Sequence, residues 1–167
     1  MTLRLILIRH AKSSWSDPMM ADKDRPLNKR GRASAKAIGR WLATRSHEPG
    51  QVLCSSAERT RETWAKISDK LVAPPKAEYT DALYLAEPDV MLSELRLAKE
   101  PMVMMIAHNP GSAYMAQALV KQAPDHGRFQ HYPTGATAII DFPVADWSDV
   151  GWGTGEAVDF IVPRELI

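Results

Sequence analysis

Two arginines and two histidines stand where predicted buried strands end, and together they could bind a phosphoryl group. The stretch LILIRH, residues 5–10, is an aliphatic run that leads directly into Arg9 and His10. A cation and an imidazole are costly to bury without partners, so their position at the end of a core strand indicates a ligand. Arg59 follows a second apolar run, and His108 follows a third. Guanidinium groups bind phosphate oxygens with paired donors, and an imidazole nitrogen can attack phosphorus.

The apolar pattern predicts the elements that must position these side chains. Strands are expected at residues 3–9, 51–54, 102–107, 136–142 and 156–162. Segments whose apolar residues are spaced by three and four, the pattern of an amphipathic helix, lie between these strands. This alternation predicts an α/β fold in which a mostly parallel sheet is covered by helices on both faces. Sheets of this type bind ligands at the carboxyl ends of their strands, so the three strand ends are expected to meet in one crevice.

Composition and charge restrict the class of protein. The chain has 167 residues, 45 % of them hydrophobic, which predicts one domain over residues 1–167. Lys and Arg total 21 against 20 Asp and Glu, so the net charge gives no reason to expect nucleic acid or an anionic membrane as a partner. Cys54 is the only cysteine, which excludes an intramolecular disulfide and fits a reducing compartment. Because no stretch approaches the roughly 20 apolar residues of a membrane span and the N-terminus has no signal-peptide pattern, a cytoplasmic protein is expected.

Several other polar residues have ordinary structural explanations. His47 lies next to a Pro-Gly pair, where a structural or surface role is the simplest interpretation. His126 and His131 are five residues apart in a predicted loop, which does not match the four-residue spacing of a helical zinc site. Arg61 should point to a different side of its helix from Arg59. No metal site is expected from these residues.

Two irregular segments are candidates for loops that shape a site. Residues 14–27 (SWSDPMMADKDRPL) and 124–135 (PDHGRFQHYPTG) are long for connections in a compact domain. For any single residue in them, an exposed position without a role is an equally good interpretation.

Four sequence blocks occur in the order seen in a known family. The blocks are LIRHAKSSW, DRPLNKRGRASA, VLCSSAERTRET and AHNPG, and a later stretch, PTGATAIIDF, is also similar. Together they resemble the histidine phosphatase superfamily, and most closely its small SixA-like branch of phosphohistidine phosphatases. Ala11 replaces the glycine of the family's leading motif, as is typical of the small branch, and Ser13 matches a motif serine. Ser16 stands where the mutase branch has asparagine, so no phosphate contact is carried over to it.

The resemblance implies a fold and a set of roles. The fold would be phosphoglycerate mutase-like, a three-layer α/β/α arrangement. His10 would be the nucleophile, and Arg9 and Arg59 would hold the phosphoryl oxygens. His108 would be the second histidine of the pocket and would also bind the phosphoryl group. All four residues would be catalytic, and neither a metal nor a cofactor is expected.

The implied mechanism makes two demands on the histidines. His10 should attack through a neutral ring nitrogen while its other nitrogen donates to a backbone carbonyl, which fixes the tautomer. A phosphohistidine intermediate would follow, and water would release phosphate. His108 is expected to work as a cation, because a bound phosphate would favour that form.

The substrate class depends on whether a general acid is present. Mutase-type relatives carry a carboxylic acid between the second and third strands, and this region here contains Asp81, Glu87 and Asp89 without a recognisable motif. Glu87 is the preferred candidate, although a solvated Glu87 and a helix-start role for Asp89 explain them equally well. Since imidazole leaves more readily than an alkoxide, the missing acid motif favours phosphohistidine on a protein. A phosphatase of small phosphorylated substrates and a non-catalytic module that binds phosphorylated ligands remain alternatives. The oligomeric state is not indicated.

Overall fold

Strands and helices alternate along most of the chain. The computed structural model describes residues 2–167. Within these residues one sheet contains six strands: β1 (Leu3–Arg9), β2 (Gln51–Ser55), β3 (Ala77–Thr80), β4 (Met102–Ala107), β5 (Thr137–Phe142) and β6 (Glu156–Ile161). The same residues form four α-helices: α1 (Lys29–Thr44), α2 (Glu58–Ser68), α3 (Pro88–Leu95) and α4 (Gly111–Leu119). Of the helices in this described part, none combines the length and the apolar character needed to cross a membrane.

The strand directions place one edge of the sheet at the site. The strand order is β3-β2-β4-β1-β5-β6, in which β3, β2, β4 and β1 pair in parallel. β5 runs antiparallel to β1, and β6 runs antiparallel to β5. The sheet is therefore mostly parallel, as predicted, with β5 reversed. Because of that reversal, the beginning of β5 lies beside the end of β1, where Ile8 pairs with Thr137.

The structure shows why β1 has no polar position between Leu5 and Ile8. Leu5 and Leu7 face one apolar core, which includes residues of α3 and α4. Ile6 and Ile8 face a second core, which includes residues of α1 and α2. All four side chains are fully buried, and each burial stabilises the fold by about 1.5–3 kcal/mol. A central strand with helices on both faces confirms the predicted three-layer arrangement.

The strand β3 was missed by the sequence prediction. It is four residues long, lies at the edge of the sheet and exposes Glu78 and Tyr79, so that it has no apolar run. Two helices are also shorter than their apolar spacing indicated. Leu71 and Ala98 continue the periodicity and are buried, but α2 ends at Ser68 and α3 at Leu95.

Candidate active site

The two arginines and two histidines predicted from the sequence line one cleft of about 280 Å³, here called the active cleft. Arg9 is the last residue of β1 and His10 follows it, while His108 follows β4 directly. Arg59 lies in the first turn of α2, which begins after β2. The ring centroids of His10 and His108 are 5.3 Å apart. Three parallel strand ends thus bring these side chains together, as the sheet rule requires.

His10 is held as a neutral ring with one nitrogen free. Its Nδ1 lies 2.7 Å from the carbonyl oxygen of Ala11. A carbonyl can only accept, so Nδ1 carries the hydrogen and Nε2 keeps its lone pair, as predicted. Thr63 Oγ1 accepts a hydrogen bond from the Ala11 N–H at 3.0 Å, which anchors this turn. Burial lowers the pKa of His10 to about 3, and the nearby charges of Arg9 and Arg59 act in the same direction. The ring is therefore uncharged at neutral pH, with Nε2 unprotonated, and this form can act as a nucleophile.

His108 is also neutral in this cleft. Its Nε2 lies 2.7 Å from Ser55 Oγ, and its buried Nδ1 has no hydrogen-bond partner within residues 2–167. Burial, followed by the nearby charge of Arg59, lowers the pKa of His108 to about 3. The cationic His108 expected from the sequence refers to the phosphate-bound enzyme, and it stays a prediction for that state. The negative charge of a phosphoryl group would be needed to stabilise the imidazolium against the arginines.

Both guanidinium groups keep donors available. Arg59 is 3 % exposed; its Nη1 donates to the backbone oxygen of Asp22 at 2.7 Å, and its Nη2 donates to the Asp22 carboxylate at 2.9 Å. Arg9 Nη1 donates to the backbone oxygen of Tyr132 at 3.3 Å. Among the residues described, the buried Nε–H groups of Arg9 and Arg59 have no acceptor. Phosphoryl oxygens could satisfy these donors.

Asp22 and Arg25 contribute to the site but were not predicted from the sequence. Arg25 is buried in the cleft lining, where its Nη1 donates to Ser13 Oγ at 2.8 Å and its Nη2 lies 3.2 Å from the Asp22 carboxylate. Hydrogen bonds from Tyr84 and Arg59 lower the pKa of Asp22 to about 2. The two residues belong to an irregular loop, at no strand end, so neither periodicity nor the sheet rule indicated them. The sequence signals were their place in the irregular segment 14–27 and in or beside the block DRPLNKRGRASA, and neither signal singled out these two residues.

Comparison with known proteins assigns the family. Residues 5–83 match the family model of the histidine phosphatase superfamily (branch 1). An uncharacterised protein of Mycobacterium leprae is 32 % identical over 166 residues, which cover 94 % of this chain and 100 % of that protein. The chain belongs to the histidine phosphatase superfamily. It is therefore an enzyme of the phosphatase class that acts on phosphorylated substrates, as the sequence blocks implied.

Two solved structures resemble this histidine phosphatase over nearly its whole length. A protein of Nakamurella multipartitia, assigned as the phosphohistidine phosphatase SixA, has a TM-score of 0.81 and 28 % identity, covering 98 % of this chain and 97 % of that chain. Its counterpart from Agrobacterium tumefaciens has a TM-score of 0.80 and 27 % identity, covering 96 % of this chain and 98 % of that chain. These likenesses confirm the phosphoglycerate mutase-like fold.

Both irregular loops of the phosphatase border the active cleft. The first contributes Trp15 and Arg25, and the second contributes Thr134. The second loop is tied to β1, because the Gly135 N–H donates to the backbone oxygens of Arg9 at 3.0 Å and His10 at 2.9 Å. The expectation that these segments shape a site therefore agrees with the structure.

The carboxylates considered as general acids lie outside the cleft lining. Glu87 and Asp89 flank the start of α3 and are exposed, and neither lines the active cleft. Asp81 forms an ion pair with Lys23 at 2.7 Å and is exposed. Within residues 2–167, the side chains that line the active cleft include no Asp or Glu.

The residues given ordinary structural explanations have local partners or lie elsewhere. His47 Nδ1 lies 3.3 Å from Arg4 Nη1, and His126 Nε2 lies 3.0 Å from Glu165. Arg61 stacks over the Tyr79 ring at 4.0 Å, away from Arg59, and His131 is exposed outside the cleft lining. Across the described residues 2–167, no group of three or more His, Cys, Asp or Glu side chains is arranged to hold a metal ion.

Proposed function

We propose that this phosphatase hydrolyses phosphohistidine on protein substrates, without a metal ion, through a phosphohistidine intermediate on His10. The observation that carries the proposal is the composition of the active cleft. It combines a neutral histidine and two arginines with free donors, but its described lining contains no carboxylate that could protonate a leaving group. Phosphoryl transfer depends mainly on positioning and charge stabilisation, which this lining provides.

In the first step, the lone pair of His10 Nε2 attacks phosphorus while the bond from phosphorus to the substrate imidazole breaks. Arg9 and Arg59 stabilise the charge on the equatorial oxygens. His10 keeps the hydrogen on Nδ1, bound to the Ala11 carbonyl. The phosphorylated ring is thus an imidazolium, which prepares it to leave in the second step.

The leaving group explains why no acid is required. A phosphohistidine side chain that is protonated on its other nitrogen leaves as a neutral imidazole. An alkyl phosphate would leave as an alkoxide, which needs a proton in the transition state. A cleft without a carboxylate therefore suits a phosphoramidate better than an alkyl ester.

In the second step, water attacks phosphorus and the bond to His10 Nε2 breaks. The oxygen and both hydrogens of water leave with the phosphoryl group as dihydrogen phosphate. His10 returns to its neutral form with the hydrogen still on Nδ1. Near the phosphoryl group, a protonated His108 would add positive charge while the group is bound.

The rim of the cleft supports a protein substrate. Trp15 is 76 % exposed and Leu85 is 53 % exposed, and both line the active cleft. Large apolar side chains grouped around a polar site are typical of surfaces that contact other proteins. The two solved relatives assigned as SixA, at 28 % and 27 % identity, support the same substrate class.

The test compares kcat/KM for a phosphohistidine peptide and an alkyl phosphate. The wild type should prefer the peptide strongly, EDTA should not change the rate, and vanadate should inhibit. Glu87→Gln and Asp89→Asn should each keep most of the activity. If the alkyl phosphate is the better substrate and Glu87→Gln abolishes its hydrolysis, the enzyme is a small-ester phosphatase. Binding of vanadate without turnover of either substrate would instead indicate a binding module.

A further inference from the structure

A second cleft, here called the side cleft, adjoins the active cleft and is strongly basic. It has a volume of about 200 Å³, and four of the side chains that line it are Lys12, Arg30, Arg128 and Arg164. Within the described part of the chain, its lining contains no Asp or Glu. Because the chain as a whole has a net charge of only +1, this cluster is a local feature and not the result of a basic protein.

The four cations come from separate segments and lack anionic partners. Lys12 follows β1, Arg30 lies in the first turn of α1, Arg128 precedes β5 and Arg164 follows β6. Among residues 2–167, none of the four takes part in an ion pair. The neighbouring carboxylate of Glu165 binds His126 and the Val162 N–H instead. The side cleft therefore has positive charge that no described side chain neutralises.

The wall between the two clefts is closely packed and is connected to the nucleophile. Thr134 lines both clefts, as does Lys12. The next residue, Gly135, has a φ of +76°, and a Cβ built on it would lie 2.6 Å from Pro163 Cγ. Its N–H also donates to the His10 backbone oxygen at 2.9 Å. A group bound in the side cleft would therefore lie next to the active cleft.

We propose that the side cleft binds a second anionic group, a carboxylate or a phosphate, that the substrate carries close to the phosphoryl group being removed. The identity of that phosphoryl group rests on the proposed function. The shared wall places the second anion within a few residues of the phosphohistidine. The enzyme should therefore prefer phosphohistidine in acidic surroundings. Because the arginines of the side cleft are exposed, they should affect substrate binding only modestly. Added salt should weaken this preference by screening their charges.

Three matched phosphohistidine peptides test the proposal and separate the two sources of negative charge. One has flanking glutamates, one has glutamines at the same positions, and one has a phosphoserine there. The glutamate or phosphoserine peptide should have a kcat/KM about 3- to 20-fold above that of the glutamine peptide, mainly through KM. Whichever of these two peptides has the higher kcat/KM shows whether the side cleft prefers a carboxylate or a phosphate.

A double variant and a charge-matched control locate the effect. Arg30→Gln with Arg164→Gln should reduce the preference to less than about twofold. The control, Lys76→Gln with Lys121→Gln, removes the same charge from exposed positions outside both clefts and should keep the preference. Loss of the preference in the control as well would attribute it to net charge and would overturn the proposal.

Failure of the side cleft and failure of the proposed function give different results. If the wild type hydrolyses all three peptides at the same kcat/KM, the side cleft proposal is wrong and the phosphohistidine function stands. If no peptide is hydrolysed, the proposed function is wrong. The side cleft can then still be tested by measuring the Kd of the same peptides with a non-hydrolysable phosphonate analogue in place of phosphohistidine. Tighter binding of the acidic analogues to the wild type than to the Arg30→Gln, Arg164→Gln variant supports the proposal. Equal Kd values contradict it.

Discussion

The active cleft and the side cleft share a wall but hold positive charge in opposite ways. In the active cleft, Arg59 is 3 % exposed and donates to Asp22 through both of its Nη atoms. In the side cleft, Arg30 and Arg164 are exposed and have no ion-pair partner in the described chain. Buried, fixed charges act strongly at short range on a transition state, whereas exposed charges act weakly and are screened by salt. Under the two proposals, these neighbouring cations serve different purposes: those of the active cleft take part in the chemistry, and those of the side cleft select the substrate.

The largest expected effect comes from removing a buried guanidinium. Arg59→Ala should reduce transition-state stabilisation by about 2–4 kcal/mol, or about 30- to 1,000-fold in kcat/KM. Arg9→Ala and His108→Ala should have effects of the same order, because all three side chains line the active cleft. Arg30→Ala, assayed on a peptide with neutral flanks, should stay within about threefold of the wild type. A near-wild-type kcat/KM for Arg59→Ala would contradict the claim that the arginines of the active cleft act on the transition state more strongly than those of the side cleft.

The active cleft, but not the side cleft, should contribute to the pH dependence of stability. Burial lowers the pKa values of His10 and His108 to about 3, whereas an unfolded histidine titrates near 6.5. Between these values the unfolded chain binds more protons than the folded one, so the free energy of unfolding should fall as pH decreases below about 6.5. The contribution is fully present above that pH. Its slope is at most about 1.4 kcal/mol per pH unit for each histidine.

Urea unfolding at pH 7, 6 and 5 measures this slope. The slope should be smaller in His108→Asn than in the wild type, because one of the two active-cleft histidines with a lowered pKa is lost. Arg30→Gln, in the side cleft, should keep the wild-type slope. Equal slopes in the wild type and His108→Asn would mean that His108 titrates normally in the folded protein.

A smaller effect is expected from changing Trp15, which lies at the rim of the active cleft. Trp15 lies over the Arg25 guanidinium at 3.6 Å and remains mostly exposed. Trp15→Ala should raise KM for a phosphohistidine protein by about two- to fivefold through lost contact area. Phosphoimidazole, which cannot reach the rim, is the control substrate and should keep its KM. An equal rise for both substrates would show that Trp15 supports the active cleft through Arg25.

The sequence predicted the active cleft well because its main residues follow apolar runs. LILIR ends at Arg9 and His108 directly follows MVMMIA, and parallel strands bring such ends to one edge. The direction of β5 could not be predicted, since a buried strand has the same pattern in either direction. β3 was missed because an exposed edge strand carries little apolar periodicity.

The rest of the site depends on packing that no local pattern reports. Arg25 lines the cleft and Asp22 contacts Arg59 because an irregular loop folds back onto α2. The neutral state of His108 follows from burial beside Arg59, which the residue types alone did not reveal. The side cleft joins Arg30, Arg128 and Arg164, which lie far apart along the chain. Such groupings require the tertiary structure.

The most direct test of the central claim is to trap the phosphorylated enzyme. Brief incubation with labelled phosphoimidazole, followed by quenching, should give an acid-labile, base-stable adduct on His10 of the wild type. The adduct should be absent from His10→Ala and present in His131→Ala, which changes a histidine outside the active cleft. An adduct of the same stability on His10→Ala, or an acid-stable adduct on the wild type, would contradict nucleophilic attack by His10.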